Sequence, residues 1–207
     1  MVRHSAGQAR PGWAYRRGCG AATTSGRRLA AILAPGYGGS SKQPILLAMA
    51  RRLLAFGVAP HAISYTRARP SGDYRSEVED VRRARDQVLA EGSSRVALVG
   101  RSFGGRICAR VAAVEPPDAL VLLGHPIAPP GRPRPVDELA LATVGCPTLI
   151  VQGDRDALGP LDVLHRIALS NANIQIEVLH GAGHHFGPHQ DQAVQRASAW
   201  LANRLSG

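Results

Sequence analysis

Residues 95–105, Arg-Val-Ala-Leu-Val-Gly-Arg-Ser-Phe-Gly-Gly, form the stretch that decides the fold. The first half is an uninterrupted apolar run, which is typical of a strand buried on both faces. Phe103–Val114 has the composition of a buried helix, so Ser102 lies at a strand-to-helix turn. Small residues two positions before and after such a serine, here Gly100 and Gly104, relieve crowding between strand and helix. The stretch therefore predicts a serine held on a sharp, strained turn, although a serine that caps a buried helix is the simpler alternative.

The rest of the chain alternates apolar strands with helices around this unit. The predicted strands are Leu29–Ala34, Ala59–Tyr65, Arg95–Gly100, Ala119–Gly124, Pro147–Gln152 and Ile174–His180. The predicted helices are Gln43–Phe56, Tyr74–Glu91, Phe103–Val114 and Gln190–Leu205, and only short links are expected between the fourth and fifth strands. This alternation predicts the α/β class, with a mostly parallel sheet in a three-layer α/β/α sandwich and no lid domain. Ligands of such sheets bind beyond the carboxyl ends of the strands.

The positive charge of the chain is unevenly distributed. The chain has 207 residues and a formal net charge of +10, and residues 1–28 contain six arginines and no acidic residue. We expect residues 1–28 to be a flexible basic segment and residues 29–207 to form one domain. Because only 4% of the residues are aromatic and no nucleic-acid motif occurs, a nucleic-acid partner is not expected.

The cysteines and the apolar runs bear on where the protein resides. The three cysteines have no metal-like spacing and form no CxxC pair, which favours a reducing, cytoplasmic compartment. Arg16-Arg17 is not followed by the apolar region of a signal peptide, and no apolar run approaches the roughly 20 residues that span a bilayer. We therefore expect no membrane association, no cofactor and no metal. A homodimer is compatible with the sequence, which does not fix the oligomeric state.

A glycine-rich loop follows the first strand. Residues 34–40, Ala-Pro-Gly-Tyr-Gly-Gly-Ser, can bring a backbone N–H close to a substrate, as an oxyanion hole requires. An ordinary strand-to-helix turn capped by Ser40 or Ser41 is the alternative.

Acidic and histidine candidates follow the last two strands. Asp156 is favoured over Asp154 as the carboxylate that orients an imidazole, by its Gly-x-x-Asp spacing. On the glycine-rich loop after the sixth strand, His184 is favoured as the base, then His185, then His180. Asp154 alternatively caps its loop or pairs with the next residue, and a histidine-rich metal loop including residue 189 is the alternative for the histidines. The chain order of serine, aspartate and histidine is that of α/β-hydrolases.

Three segments carry a resemblance to a known superfamily. They are Gly-Arg-Ser-Phe-Gly-Gly-Arg at 100–106, Leu-Gly-His-Pro-Ile-Ala-Pro-Pro-Gly-Arg-Pro at 123–133, and Pro-Thr-Leu-Ile-Val-Gln-Gly-Asp-Arg-Asp at 147–156. From Leu29 to the C-terminus, the chain resembles the α/β-hydrolase superfamily. Within it, the chain is similar to a small, lidless, dienelactone-hydrolase-like branch that includes testis-expressed and NSL-complex hydrolase-like proteins.

The resemblance implies particular site residues. It implies that Tyr37 and Phe103 donate the oxyanion-hole N–H groups, and that the loop around His125 and Pro126 lines the substrate pocket. Gly36 and Arg101 are further pocket candidates. Arg101 and Arg106 flank the serine and could attract an acidic substrate, but the arginine-rich composition alone would give the same pattern.

Two departures from the family pattern limit what the resemblance implies. Pro35 stands where a histidine often opens the oxyanion loop, and Ser102 stands where dienelactone hydrolases carry a cysteine. The sequence thus predicts a serine hydrolase, of carboxylesterase type, that acts on a small soluble ester through Ser102, His184 and Asp156. The alternative from another class is a non-catalytic binding or scaffold protein, because some members of this branch serve in that way.

Overall fold

Six parallel strands form a single sheet in the order β2-β1-β3-β4-β5-β6. The structure is a computed structural model that describes residues 28–207, so the predicted basic segment lies, apart from Arg28, outside the described residues. The strands are β1 Leu29–Ala34, β2 Val58–Ala62, β3 Arg95–Arg101, β4 Ala119–Leu123, β5 Thr148–Gly153 and β6 Ile174–Leu179. The helices are α1 Pro44–Ala55, α2 Arg75–Ala90, α3 Phe103–Val114, α4 Pro135–Ala142, α5 Leu161–Ser170 and α6 Gln190–Ser206.

The helices cover both faces of the sheet, as the continuous apolar strands predict. Helices α1 and α6 pack on one face, and α2, α3, α4 and α5 pack on the other. Along β1, every residue from Ala30 to Ala34 is buried, because its side chains point alternately into the two apolar layers. The predicted three-layer sandwich is confirmed. Within residues 28–207, no helix has the length and apolar character needed to cross a bilayer.

The order of the strands places a crevice at the carboxyl ends of β1 and β3. Strand β1 lies between β2 and β3, so the chain leaves β1 and β3 in opposite directions across the sheet. Ala34 pairs with Gly100, which brings the glycine-rich loop after β1 beside the serine turn after β3. In doubly wound sheets, this reversal is where ligands bind.

Apart from element ends shifted by one residue, the structure differs from the sequence-based prediction in one strand and two helices. Strand β2 ends at Ala62 rather than Tyr65, because the chain turns away from the sheet and the Tyr65 ring packs edge-on against Phe103, with the ring centroids 5.6 Å apart. Helices α4 and α5 were not predicted, and α4 lies between β4 and β5, where only short links were expected. Both helices are short, with 8 and 10 residues, and present few residues to the core, so their periodic signal is weak.

Candidate active site

The turn after β3 holds Ser102 in a conformation that only close packing can maintain. Its backbone has φ 50° and ψ −114°, a region rarely occupied by residues other than glycine. A Cβ added to Gly100 would lie 2.4 Å from the Cα of Gly105, and one added to Gly104 would lie 2.3 Å from the carbonyl oxygen of Ala34. The glycines on either side of the serine are therefore required by the close approach of strand and helix.

Ser102, His184 and Asp156 form a continuous hydrogen-bonded chain. The Ser102 Oγ lies 2.8 Å from Nε2 of His184, and the His184 Nδ1 lies 2.8 Å from Oδ2 of Asp156. The carboxylate side chain is fully buried, whereas 13% of the imidazole remains exposed. This arrangement can remove the proton from the serine hydroxyl and stabilise the resulting imidazolium.

The Asp156 carboxylate is held by two further donors. Gln152 donates from Nε2 to Oδ2 at 2.8 Å, and the Leu158 N–H donates to Oδ1 at 2.9 Å. The same Gln152 nitrogen also donates to the carbonyl oxygen of Gly159 at 2.9 Å. Sequence reasoning missed Gln152, although a lone amide at the end of the apolar run of β5 was a signal for a buried polar contact.

The other acidic and histidine candidates lie in different contacts. Asp154 accepts hydrogen bonds from the Gly181 N–H at 2.7 Å and lies 3.1 Å from Nδ1 of the exposed His180. His185 lies 3.4 Å from a guanidinium nitrogen of Arg101 and has no hydrogen bond to the serine. The geometry thus favours Asp156 and His184. Within the described part of the chain, no three histidine, cysteine or acidic side chains are grouped so that they could hold a metal ion.

Arg101 does not line the substrate cleft, contrary to expectation. It is buried, and it donates from Nη1 to the Leu123 carbonyl at 3.0 Å and from Nη2 to the His184 carbonyl at 2.7 Å. Burial lowers the pKa of the guanidinium to about 10, and the charge of Asp156 acts in the opposite direction. The side chain packs beneath the histidine loop, 5.5 Å from the Phe186 ring centroid, so it positions this loop and cannot reach a substrate.

His125 is also absent from the cleft wall. Its ring is fully buried, and neither ring nitrogen has a hydrogen-bond partner among the described residues. Burial lowers the pKa of the imidazole to about 4, so the ring is neutral near pH 7. The next residue, Pro126, does line the cleft.

The loop after β1 contacts the serine turn through Gly36. A Cβ added to Gly36 would lie 3.6 Å from Cβ of Ser102, so the loop backbone approaches the serine closely. The Gly36 N–H donates to Oε1 of Gln43 at 2.9 Å, a contact that sequence reasoning missed. Gly36 lies behind the cleft surface and therefore supports the loop without lining the cleft.

The two predicted oxyanion donors lie at the mouth of this region. The Phe103 N–H is at the first position of α3, where helix geometry leaves the amide without an intrahelical acceptor. Tyr37 follows Gly36 on the loop, and the Tyr37 and Phe103 rings meet edge-on with centroids 6.2 Å apart. Both residues line the cleft together with Ser102.

An open cleft of about 620 Å³ lies over the serine. Its lining combines aromatic, proline and arginine side chains with the nucleophile candidate. The residues are Tyr37, Arg69, Pro70, Ser71, Gly72, Tyr74, Ser102, Phe103, Arg106, Pro126, Arg132, Arg134 and Leu158. The volume is in the range of sites for small molecules.

A doubly wound parallel sheet with a serine on the turn after a central strand is the architecture of the α/β hydrolases. The chain belongs to this family: the family described as alpha/beta hydrolase domain matches residues 27–204. A comparison with curated proteins gave no significant match.

Solved structures show the same fold at low sequence identity. An α/β serine hydrolase homologue from Coxiella burnetii has a TM-score of 0.72 and 22% identity, with 86% of this chain and 88% of that chain covered. A lidless α/β serine hydrolase from Xanthomonas campestris has a TM-score of 0.68 and 22% identity, covering 86% and 85% of the two chains. An esterase from Pyrococcus furiosus has a TM-score of 0.71 and 15% identity, covering 87% and 82%.

Proposed function

We propose that this protein is a serine hydrolase that cleaves an ester or related acyl bond of a small substrate. The observation that carries the proposal is the 2.8 Å contact between the Ser102 Oγ and the His184 Nε2, at the base of the open cleft. One of the similar structures is named an esterase, which supports an ester as the substrate class.

The first half of the reaction forms an acyl-enzyme. The His184 Nε2 accepts the hydroxyl proton of Ser102 as Oγ attacks the carbonyl carbon. The N–H groups of Phe103 and Tyr37 donate to the oxygen that becomes negatively charged. When the tetrahedral intermediate collapses, the imidazolium returns its proton to the leaving alcohol, and the acyl group stays on Oγ.

Water completes the cycle by the same route. The neutral His184 accepts a proton from water, the hydroxide attacks the acyl carbon, and the acid product leaves as Ser102 regains its proton. Asp156 keeps Nδ1 protonated, so that Nε2 is free to accept, and it stabilises the imidazolium. Gln152 and the Leu158 N–H hold that carboxylate in place.

Labelling with a fluorophosphonate probe tests the nucleophile. We expect the folded wild type to be labelled and the Ser102→Ala variant to be unlabelled. An unlabelled but folded wild type that is also inactive on p-nitrophenyl esters would instead favour a non-catalytic binding or scaffold protein. Undiminished labelling of Ser102→Ala would show that the proposed nucleophile is wrong.

A matched pair of aspartate variants tests the orienting carboxylate. Asp156→Asn should lower kcat on a p-nitrophenyl ester by a factor of about 10³ to 10⁴, because the imidazole loses its preferred tautomer. Asp154→Asn, which loses contacts only to His180 and Gly181, should lower kcat by less than about threefold. Equal losses in the two variants would contradict the assignment.

A further inference from the structure

The cleft over Ser102 is lined by arginines from two separate loops. Arg69 belongs to the loop between β2 and α2, and Arg132 and Arg134 belong to the loop between β4 and α4. Arg106, from the first turn of α3, also contributes to the lining. No acidic side chain lines this cleft. Four guanidinium groups therefore surround the space where a substrate must lie.

Two buried carboxylates contact lining residues of the cleft, and both already accept two hydrogen bonds. Asp137 accepts from Nε of Arg106 at 2.6 Å and from Nε of Arg110 at 2.7 Å, so a single carboxylate is shared by two arginines. Glu77 is buried, and it accepts from the N–H of Ser71 at 3.0 Å and from its hydroxyl at 2.6 Å. Asp137 acts on the charge of Arg134 from a distance, but it already accepts hydrogen bonds from two arginines, and neither carboxylate forms an ion pair with Arg69, Arg132 or Arg134.

Three arginines of the cleft form no ion pair with a carboxylate. Within the described residues, no carboxylate lies within 4.0 Å of the guanidinium groups of Arg69, Arg132 or Arg134. Arginines on the surface of α2 differ in this respect, because Arg82 and Arg85 both form ion pairs with Glu115 at 2.9 Å.

Arg134 is fixed in place by a carbonyl oxygen and not by a carboxylate. It donates from Nη1 to the Pro126 carbonyl at 2.6 Å, and Pro126 itself lines the cleft. Burial lowers the pKa of Arg134, and the positive charges of Arg106 and Arg132 lower it further, whereas the negative charge of Asp137 acts in the opposite direction. Holding a partly desolvated cation beside a second cation costs free energy, which an anion in the cleft would offset.

We propose that the arginines of this cleft bind an oxyanion carried by the substrate, so that the preferred ester bears a carboxylate or phosphate group in addition to the acyl bond at Ser102. Planar guanidinium groups bind such oxyanions with paired, charge-assisted hydrogen bonds. Arg69, Arg132 and Arg134 would make these contacts. This inference rests on the proposed function, because it assigns the substrate class of the same site.

The test compares esters that differ only in the group at the end of a three-carbon acyl chain. We would measure kcat/KM for p-nitrophenyl butyrate, which is neutral, for mono-p-nitrophenyl succinate, which carries a carboxylate, and for the p-nitrophenyl ester of 3-phosphonopropionate, which carries a phosphonate in place of a phosphate. At least one anionic ester should exceed the neutral one by tenfold or more, and the better of the two identifies the oxyanion. Added NaCl should reduce this preference by screening the charges.

Two double variants separate the cleft from general surface charge. Arg132→Gln/Arg134→Gln should reduce the ratio of anionic to neutral kcat/KM at least tenfold, mainly through KM. Arg51→Gln/Arg52→Gln, which changes two exposed arginines of α1, should leave the ratio as in the wild type. If the first pair unfolds, Arg69→Gln provides a single, exposed substitution with the same expected direction.

The outcomes distinguish this inference from the proposed function. Hydrolysis of all three esters with a ratio near one, unaffected by the arginine variants, would overturn the inference and leave the hydrolase proposal intact. If the wild type hydrolyses no ester, titration of Ser102→Ala with methyl hydrogen succinate and with inorganic phosphate still tests the cleft. Saturable binding that Arg132→Gln/Arg134→Gln abolishes supports the oxyanion site, and absence of saturable binding overturns it.

Discussion

His125 should make the protein less stable in mildly acidic solution. Its imidazole is fully buried, and neither ring nitrogen has a partner among the described residues. Burial lowers its pKa from the ordinary 6.5 to about 4, and the guanidinium groups of Arg106 and Arg134 act in the same direction. The carboxylates of Asp137 and Asp156 oppose this shift without reversing it. A proton therefore binds this histidine more readily in the unfolded chain than in the folded one.

The size of the effect follows from this difference in pKa. The contribution of neutral His125 to the free energy of unfolding is fully present above pH 6.5. It is lost as the pH falls from 6.5 to 4, because the unfolded chain takes up the proton first. Each pKa unit corresponds to about 1.36 kcal/mol, so the loss in the free energy of unfolding across the whole window is about 3 kcal/mol. About 2 kcal/mol of the free energy of unfolding should be lost between pH 7.5 and pH 5.

Urea unfolding at pH 7.5 and at pH 5 measures this loss. The His125→Leu variant replaces the imidazole with an uncharged side chain, so its free energy of unfolding should fall by about 2 kcal/mol less than that of the wild type. The matched control is His165→Leu, on the exposed surface of α5, which should retain the wild-type pH dependence. A His125→Leu variant with the same acid loss as the wild type would refute the assignment.

Two further substitutions test the packing around the serine turn. Gly104→Ala would place a Cβ 2.3 Å from the carbonyl oxygen of Ala34, and should lower the free energy of unfolding by more than about 2 kcal/mol in urea. Gly145→Ala, whose Cβ would make only an ordinary 3.4 Å contact, is its control, and equal losses would contradict the steric reasoning. Arg101→Met leaves the His184 carbonyl oxygen without its guanidinium donor, while the Leu123 carbonyl keeps the Ser102 N–H, and should cost about 1 to 3 kcal/mol of stability and lower kcat at least tenfold by loosening the histidine loop. Exposed Arg51→Met should do neither, and an active, stable Arg101→Met variant would argue against this positioning role.

Local sequence determined most of the fold. The apolar runs specify buried parallel strands because both faces of the sheet are covered, and β1 and α3 begin and end where the patterns predicted. The sequence-based prediction failed at short or irregular segments. Helix α4 was missed, and β2 ends three residues early because Tyr65 packs against Phe103 instead of continuing the strand.

Local sequence also determined the nucleophile turn. Gly100 and Gly104 flank Ser102 within five residues, and this local pattern identified the turn, although the close contact that requires glycine at position 104 is with Ala34 of β1. The sequence could rank Asp156 above Asp154 and His184 above His185, but it could not place them. Neighbouring residues on one loop differ in which way their side chains point, and only the backbone path shows this.

Only the tertiary structure decided the electrostatics of the site. Adjacent to the serine in sequence, Arg101 turns inward to the His184 carbonyl, whereas Arg69 and Arg134, 65 residues apart, line the same cleft. The strength of an interaction between charges depends on the distance between them and on their burial. Both are set by contacts between loops that follow different strands. The sequence therefore determined the strands and the serine turn, while the fold decided which charges meet the substrate.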